Sequence, residues 1–191
     1  FRGGVQVAYR RNKNIRDLLC RATLPPLRRA GIRVERGWKK CSKGCTSCNF
    51  SQSMSEFKVT ATGEIIKVMQ KITCTDRNVI YCIQCKKCHQ QYVGKTSLQF
   101  KERANQHRSS VNVAAEAKKN HQTSGSKSDI TPYRSPVAEH FTQPNRKKED
   151  LMMFAIEKVA SNNPFILGQR ERFYIDKMQV LQHGINNNRT N

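Results

Sequence analysis

Apolar residues in this chain come in short bursts, each closed by polar or turn-forming residues. "RNVIYCIQC" (77–85) and "QQYVGKT" (90–96) predict two strands. Their connection is too short for a parallel crossover, so they form an antiparallel hairpin. "LMMFAIEKV" (151–159) is almost continuously apolar and reads as a buried strand. "SLQFKERANQHRSSV" predicts a helix with Ser97 as its cap and Leu98, Ala104 and Val111 on its apolar stripe. "SPVAEHF" and "NPFILGQRERFYIDKMQVL" begin helices too, each with a capping residue (Ser135, Asn163) followed by proline (Pro136, Pro164). Upstream, Phe57 to Thr60 and Glu64 to Ile72 predict two strands around an "ATGE" turn, where Gly63 supplies a positive φ. From residue 77 the order is strand, strand, helix, helix, strand, helix. It predicts a small α/β domain, a short antiparallel sheet flanked by helices.

The polar stretches mark boundaries. Residues 1–40 carry twelve Lys or Arg against two acidic residues and little periodicity, so they read as a basic linker or arm. One short helix is predicted there, "NKNIRDLLCRATLPP", capped by Asn14 and ended by Pro25, with Cys20 as a buried apolar residue. Residues 41–76 form a cysteine-bearing hairpin module. Residues 77–191 form the α/β domain, with a loop insertion at about 112–135 in which extra helical turns can precede a Gly/Ser/Lys-rich stretch.

Charge narrows the class of partner. Thirty-five Lys and Arg face 14 Asp and Glu, a formal net charge of +21. Self-repulsion on that scale favours an anionic partner, and nucleic acid is the leading one because each neutralised phosphate releases counterions. No apolar run approaches the roughly 20 residues a membrane span needs. Arg10, Arg11, Arg28, Arg29, Lys39 and Lys40 are candidate phosphate contacts. An interface with another domain is the alternative for this arm.

The eight cysteines are grouped too closely for a disulfide framework, which makes metal binding the better reading. Cys85 and Cys88 have the C-x2-C spacing of half a zinc knuckle. His89, His107, His121 and His140 are candidates for the other half, with His107 and His140 preferred because two different helices carry them toward the hairpin loop. An iron–sulfur arrangement using Cys82, Cys85 and Cys88 is an alternative. Cys41, Cys45 and Cys48, joined by Cys74 at the end of the following hairpin, predict a second, all-thiolate tetrahedral site. Three closely spaced thiolates repel one another unless a metal takes their charge.

The triplets "VIY" (Val79 to Tyr81) and "YVG" (Tyr92 to Gly94), with ten residues between their tyrosines, resemble the signature of the GIY-YIG nucleases. The first glycine is replaced by Val79 and the second isoleucine by Val93. Arg103 stands where that family places its catalytic arginine, and His107 one turn later where many members carry a histidine. Glu171 in "QRERFYI" matches the metal-binding glutamate, and Asn186 in "GIN" the terminal asparagine. The sequence further resembles the endonuclease region of Penelope-like retroelement polyproteins, in the phrases "YRRNKNIRDLLCRATLP", "CSKGCTSC", "TCTDRNVIYCIQCKKCHQQYVGKT" and "VAEHF". That group sets cysteines between the two triplets and completes a zinc site with downstream histidines.

The resemblance implies a GIY-YIG fold with zinc-stabilised insertions and a DNA endonuclease that cuts or nicks its target to prime reverse transcription. It implies a reverse transcriptase domain of the same polyprotein ahead of Phe1, element RNA as a further partner, and work in the nucleus. Glu171 would hold Mg²⁺ or Mn²⁺ against the scissile phosphate. Arg103 would stabilise the developing charge as a two-pronged donor, Tyr81 would orient or deprotonate the water, and Tyr92 would support it. Lys95 would assist at the phosphate, and Asn186 would position the Glu171 helix or a metal-bound water. Zinc would sit at Cys85, Cys88, His107 and His140, and again at Cys41, Cys45, Cys48 and Cys74. Each residue also has an ordinary role open to it: Glu171 as an ion-pair partner of Arg170 or Arg172, the tyrosines as sheet packing, Asn186 as loop. The competing class is a zinc-stabilised module that binds DNA or RNA without cleaving it.

Overall fold

The computed structural model describes residues 35–123 and 135–186. The arm helix from Asn14 to Pro25, with Cys20, Arg10, Arg11, Arg28 and Arg29, lies outside the described residues, as does the 124–134 part of the expected loop.

A three-stranded antiparallel sheet positions the site. Its central strand is β5 (Val79–Cys85), flanked by β6 (Gln91–Thr96) and β7 (Leu151–Lys158) in the order β6-β5-β7. Six of the seven β5 residues are buried, which is why its sequence is apolar without alternation. The hairpin register places Tyr81 opposite Gly94 and Ile83 opposite Tyr92. The two triplets are therefore cross-strand neighbours. "LMMFAIEKV" supplies β7 as expected, buried over most of its length.

Four shorter strands precede this sheet. β1 (Gly37–Lys39) pairs in parallel with β4 (Lys71–Thr73), and β2 (Glu56–Lys58) pairs antiparallel with β3 (Ile65–Lys67) across the turn where Gly63 has φ +75°. This amends two expectations. The single strand read from Glu64 to Ile72 is two strands in different sheets. Gly37–Lys39, read as part of the basic arm, is a strand of the compact unit that begins at Glu35. Trp38 drives this: it is fully buried, its indole N–H donates to Ser51, and its ring lies 4.5 Å from that of Phe100. Phe57 reaches Phe154 on β7 at 5.0 Å. One apolar core therefore runs from the cysteine-bearing strands into the larger sheet.

Helix α1 (Phe100–Thr123) carries Arg103 and His107. Ser97 does not cap it. Gln99 holds that position, its carbonyl accepting from Glu102 N and Arg103 N, and its own N–H donating to the Glu102 carboxylate at 3.2 Å. Leu98 is 39% exposed, whereas Phe100, Ala104, His107 and Val111 form the buried stripe. α1 also continues through residues 112–123, the part of the expected insertion where extra helical turns were allowed. The two proline-started helices appear as predicted. In α2 (Pro136–Phe141) Ser135 Oγ accepts from Ala138 N at 3.1 Å, and in α3 (Pro164–Lys177) Asn163 Oδ1 accepts from Phe165 N at 2.9 Å. A final turn, α4 (Val180–His183), leads into the tail. Among the described residues no helix is long and apolar enough to cross a membrane.

Candidate active site and metal clusters

Tyr81 is the centre of the site. Its ring is buried in β5, and its hydroxyl meets two groups on α1: Arg103 Nε at 3.0 Å and His107 Nε2 at 2.8 Å. Arg103 can only donate, so the phenol oxygen accepts from it, and its O–H is free to donate to His107 Nε2. Burial, and next the Arg103 charge, drive the His107 pKa down to about 3. The imidazole is therefore neutral, with its lone pair on Nε2 toward Tyr81 and its proton on Nδ1. Burial pushes the Tyr81 pKa up. Tyr81, expected to orient or deprotonate the water, is held here as a hydrogen-bond hub between Arg103 and His107.

Gly94 makes the hub sterically feasible. A Cβ there would lie 2.6 Å from Tyr81 Oη and 2.9 Å from Tyr92 Cε1. No side chain fits between the two rings, which approach to 6.4 Å. Tyr92, only half-buried, lines a hollow of about 190 Å³ together with Arg103, Gln106, His107, Ser110 and Ser135. Of the two phenols, Tyr92 faces that hollow.

A second hollow, of about 340 Å³, adjoins Arg103 and Gln106 on their other side and is walled by Lys95, Ser97, Asn162 and Leu167. Lys95 Nζ is 3.2 Å from Glu171 Oε2 on α3. Arg170, beside Glu171 in sequence, turns instead to Glu157 on β7 with contacts of 2.7 to 3.1 Å. Glu171 is thus held by Lys95 and not by its arginine neighbours. The guanidinium on α1 and Lys95, the ion-pair partner of Glu171, line the same hollow. Arg103 Nη1 also donates to Gln106 Oε1 at 2.9 Å, which fixes the guanidinium at the saddle between the hollows.

Asn186 corrects another expectation. Its amide accepts from Val93 N and donates to Val93 O, both at 2.8 Å, and Ile185 N donates to Gln91 O at 2.8 Å. "GIN" therefore closes the open edge of β6 with strand-like bonds. Asn186 acts on the strand between Tyr92 and Gly94; it makes no bond to α3.

The cysteines gather in two groups among the described residues. The sulfurs of Cys41, Cys45, Cys48 and Cys74 lie within 4.8 Å of one another, three of the pairs at 3.5 to 3.6 Å. A tetrahedral ion with Zn–S of about 2.3 Å sets sulfurs about 3.8 Å apart, so the four thiols already outline such a shell. Cys45 N and Cys41 N point at the sulfurs of Cys41 and Cys48, each at 3.4 Å. The Cys45 amide, and next Cys74, draw the Cys41 thiol down to about 6, while burial pushes Cys48 and Cys74 up. The donor set fits a soft divalent metal.

The second group is Cys85, Cys88 and His140, with Cys88 Sγ 3.4 Å from His140 Nε2. His107 does not join it: its Nε2 is bonded to Tyr81, which overturns its reading as a zinc ligand. His89 is outside the group as well, and the His121 side chain lies outside those described. Cys82 is buried within β5 and apart from Cys85 and Cys88, which removes the iron–sulfur arrangement. Arg146 Nη1 donates to His140 Nδ1 at 3.1 Å. That contact leaves the Nε2 of neutral His140 protonated, so ligation through Nε2 requires Arg146 to turn aside. This group supplies three donors and fits a metal less completely than the first.

Lys39 and Lys40 stand beside the four-thiol group, lining a hollow of about 630 Å³ with Lys43, Lys71 and Lys101. Trp38, Phe100 and Gln106 were not singled out from the sequence. Trp38 is the only tryptophan, and Phe100 lies one helical step before Ala104; these were the available signals.

The geometry describes a small α/β domain in which Tyr92 and Arg103 line one hollow, Arg103 and Lys95 line the next, and Lys95 pairs with Glu171, an arrangement suited to a phosphodiester. Residues 77–184, more than half of the chain, match the GIY-YIG catalytic domain, and the chain belongs to this family of divalent-metal-dependent nucleases. No curated protein and no solved structure matches it.

Proposed function

We propose that the chain is the DNA endonuclease region of a Penelope-like retroelement protein, which cuts or nicks a target so that the freed 3′ end primes reverse transcription. The observation that carries the enzymatic reading is that Arg103, bonded to the Tyr81–His107 hub, and Lys95, paired with Glu171, line one hollow. The retroelement context rests on the sequence phrases around Cys41, Cys85 and His140. Element RNA, a reverse transcriptase domain and a nuclear site of action go with that context.

Tyr92, on the wall of the first hollow, orients the attacking water. The oxygen of that water bonds to phosphorus as the P–O3′ bond breaks; the water gives up a proton to solvent and the departing O3′ takes one from solvent, leaving a 5′-phosphate and a 3′-hydroxyl. Arg103, fixed by Tyr81 and Gln106, offers its planar fork to the phosphoryl oxygens, where negative charge grows. Tyr81 and neutral His107 hold that fork in place. Lys95 neutralises a phosphate oxygen while holding Glu171 in register. The carboxylate of Glu171 would be the hard oxygen donor that holds Mg²⁺ or Mn²⁺. When bound, such an ion supplies charge stabilisation and an acidified water. Lys39 and Lys40, with Lys43 and Lys101, contact the backbone of the duplex away from the cut. Zinc is the metal proposed for the thiol groups, since sulfur donors at tetrahedral spacing select it.

The test is relaxation of supercoiled plasmid in Mg²⁺, with Glu171→Ala as control. Wild type should nick and the variant should not. Equal relaxation by both would remove the enzymatic reading and leave a nucleic-acid-binding module.

A further inference from the structure

We infer that the metal held by Cys41, Cys45, Cys48 and Cys74 serves the nuclease site directly, by holding the first turn of α1 and with it Arg103. The inference rests on the reading of Arg103 given above. A helix begins with N–H groups that lack intrahelical partners. In α1 the first two of these are met from the thiol module. Phe100 N donates to Asp76 O at 2.9 Å, and Lys101 N donates to the carbonyl of Cys74, a member of the thiol group, at 2.8 Å. From the other side Ser47, buried and adjacent to Cys48, donates its hydroxyl to Lys101 O at 3.0 Å. Asp76 is itself fixed by Thr73 N at 2.7 Å and by Lys158. Arg103 follows Lys101 by two residues.

Packing repeats the connection. Trp38 sits on Phe100 at 4.5 Å, and Phe100 on Tyr81 at 6.1 Å. Buried Trp38, Val59, Val68 and Ile72 tie the module to the core, but its backbone ladders lend the cysteine loop little support. β1, β2, β3 and β4 are three residues each, so their ladders are short. Four thiols at tetrahedral separation supply the missing constraint only when a cation offsets their charge. Loss of that cation frees Cys74 and Cys48 to separate, and their neighbours release the start of α1. β5 keeps its two strand partners. The metal is therefore a positioning element for Arg103.

The experiment compares the full chain, purified with its metal under reducing conditions, with the same protein after chelation, by amide hydrogen exchange and plasmid nicking. Chelation should speed exchange at Phe100 to Arg103 at least about tenfold while Ile80 to Ile83 in β5 stay protected. Nicking should fall through kcat with KM nearly unchanged. Cys41→Ser should behave like the chelated protein. Cys41→His should restore metal, protection and nicking. Cys88→Ser, in the other group, should leave exchange at Phe100 to Arg103 as in wild type. The inference is overturned if metal leaves and that exchange does not change, if β5 loses protection equally, or if the four-thiol group takes up no metal. Should wild type fail to nick at all, the exchange arms still decide the coupling, while the nuclease reading alone is lost.

Discussion

The Tyr81 hub and the four-thiol module are built by opposite means. The hub is fixed by exclusion: a buried phenol, a glycine with no room for a methyl group, and two hydrogen bonds that use up the hydroxyl. The module has short strands and a half-exposed thiol group that depends on coordination. One is rigid because nothing else fits. The other, on the inference above, needs a bound metal to fix its cysteine loop. Because the two share Phe100, the conditional region can influence the unconditional one.

The sharpest way to break this contrast is Gly94→Ala. The new methyl group must displace both tyrosine rings, and overpacking of this kind costs about 3 kcal/mol. Denaturant titration should show that loss, and nicking should vanish. A variant as stable as wild type would mean that the hub is not close-packed.

Removing metal from the thiol module should have the next largest effect. A metal at a thousand times its Kd stabilises the native state by about 4 kcal/mol. Thermal melts with and without chelator should differ accordingly, and the difference should disappear in Cys45→Ser.

The hub also predicts a pH dependence. His107 has a native pKa of about 3 against an ordinary value of 6.5. Between those values the unfolded chain binds the proton and the native chain does not. The stabilisation is complete above pH 6.5 and is lost as the pH falls toward 3. Urea midpoints measured down this range should fall more steeply for wild type than for His107→Gln.

Asn186→Ala should be the mildest of these changes. It removes two bonds to an edge strand that water can partly replace, at a cost of about 1 kcal/mol. Its effect should concentrate in the exchange of the Val93 amide.

Local signals were legible in the sequence. The capping pairs Ser135–Pro136 and Asn163–Pro164 and the apolar run of β7 led to elements the structure contains, and Tyr81 lies beside Tyr92 and Arg103 as their spacing suggested. Cys41, Cys45, Cys48 and Cys74 were grouped correctly because the hairpin between them returns the chain. What depended on contacts distant in sequence was not legible. Gly37–Lys39 is a three-residue strand in a run of basic residues, and only its partner β4 and the burial of Trp38 make it one. Leu98 and Phe100 compete for the first apolar position of α1, and Trp38 decides for Phe100. His107 sits on the face of α1 that also holds Arg103, and spacing alone did not say that Tyr81, and not the hairpin loop, takes its Nε2. Asn186 read as loop or metal support because bonds to the β6 edge leave no periodic trace.

The central claim is that Arg103 works as an oriented fork and not as a charge. The most direct test is the nicking rate of Arg103→Lys, with plasmid affinity measured alongside. Lysine keeps the charge but loses the Nε bond to Tyr81 and the planar donor pair. The account predicts a kcat lower by about a hundredfold or more at near-unchanged affinity, as for loss of a preorganised transition-state donor. A lysine variant that nicks at the wild-type rate would contradict it.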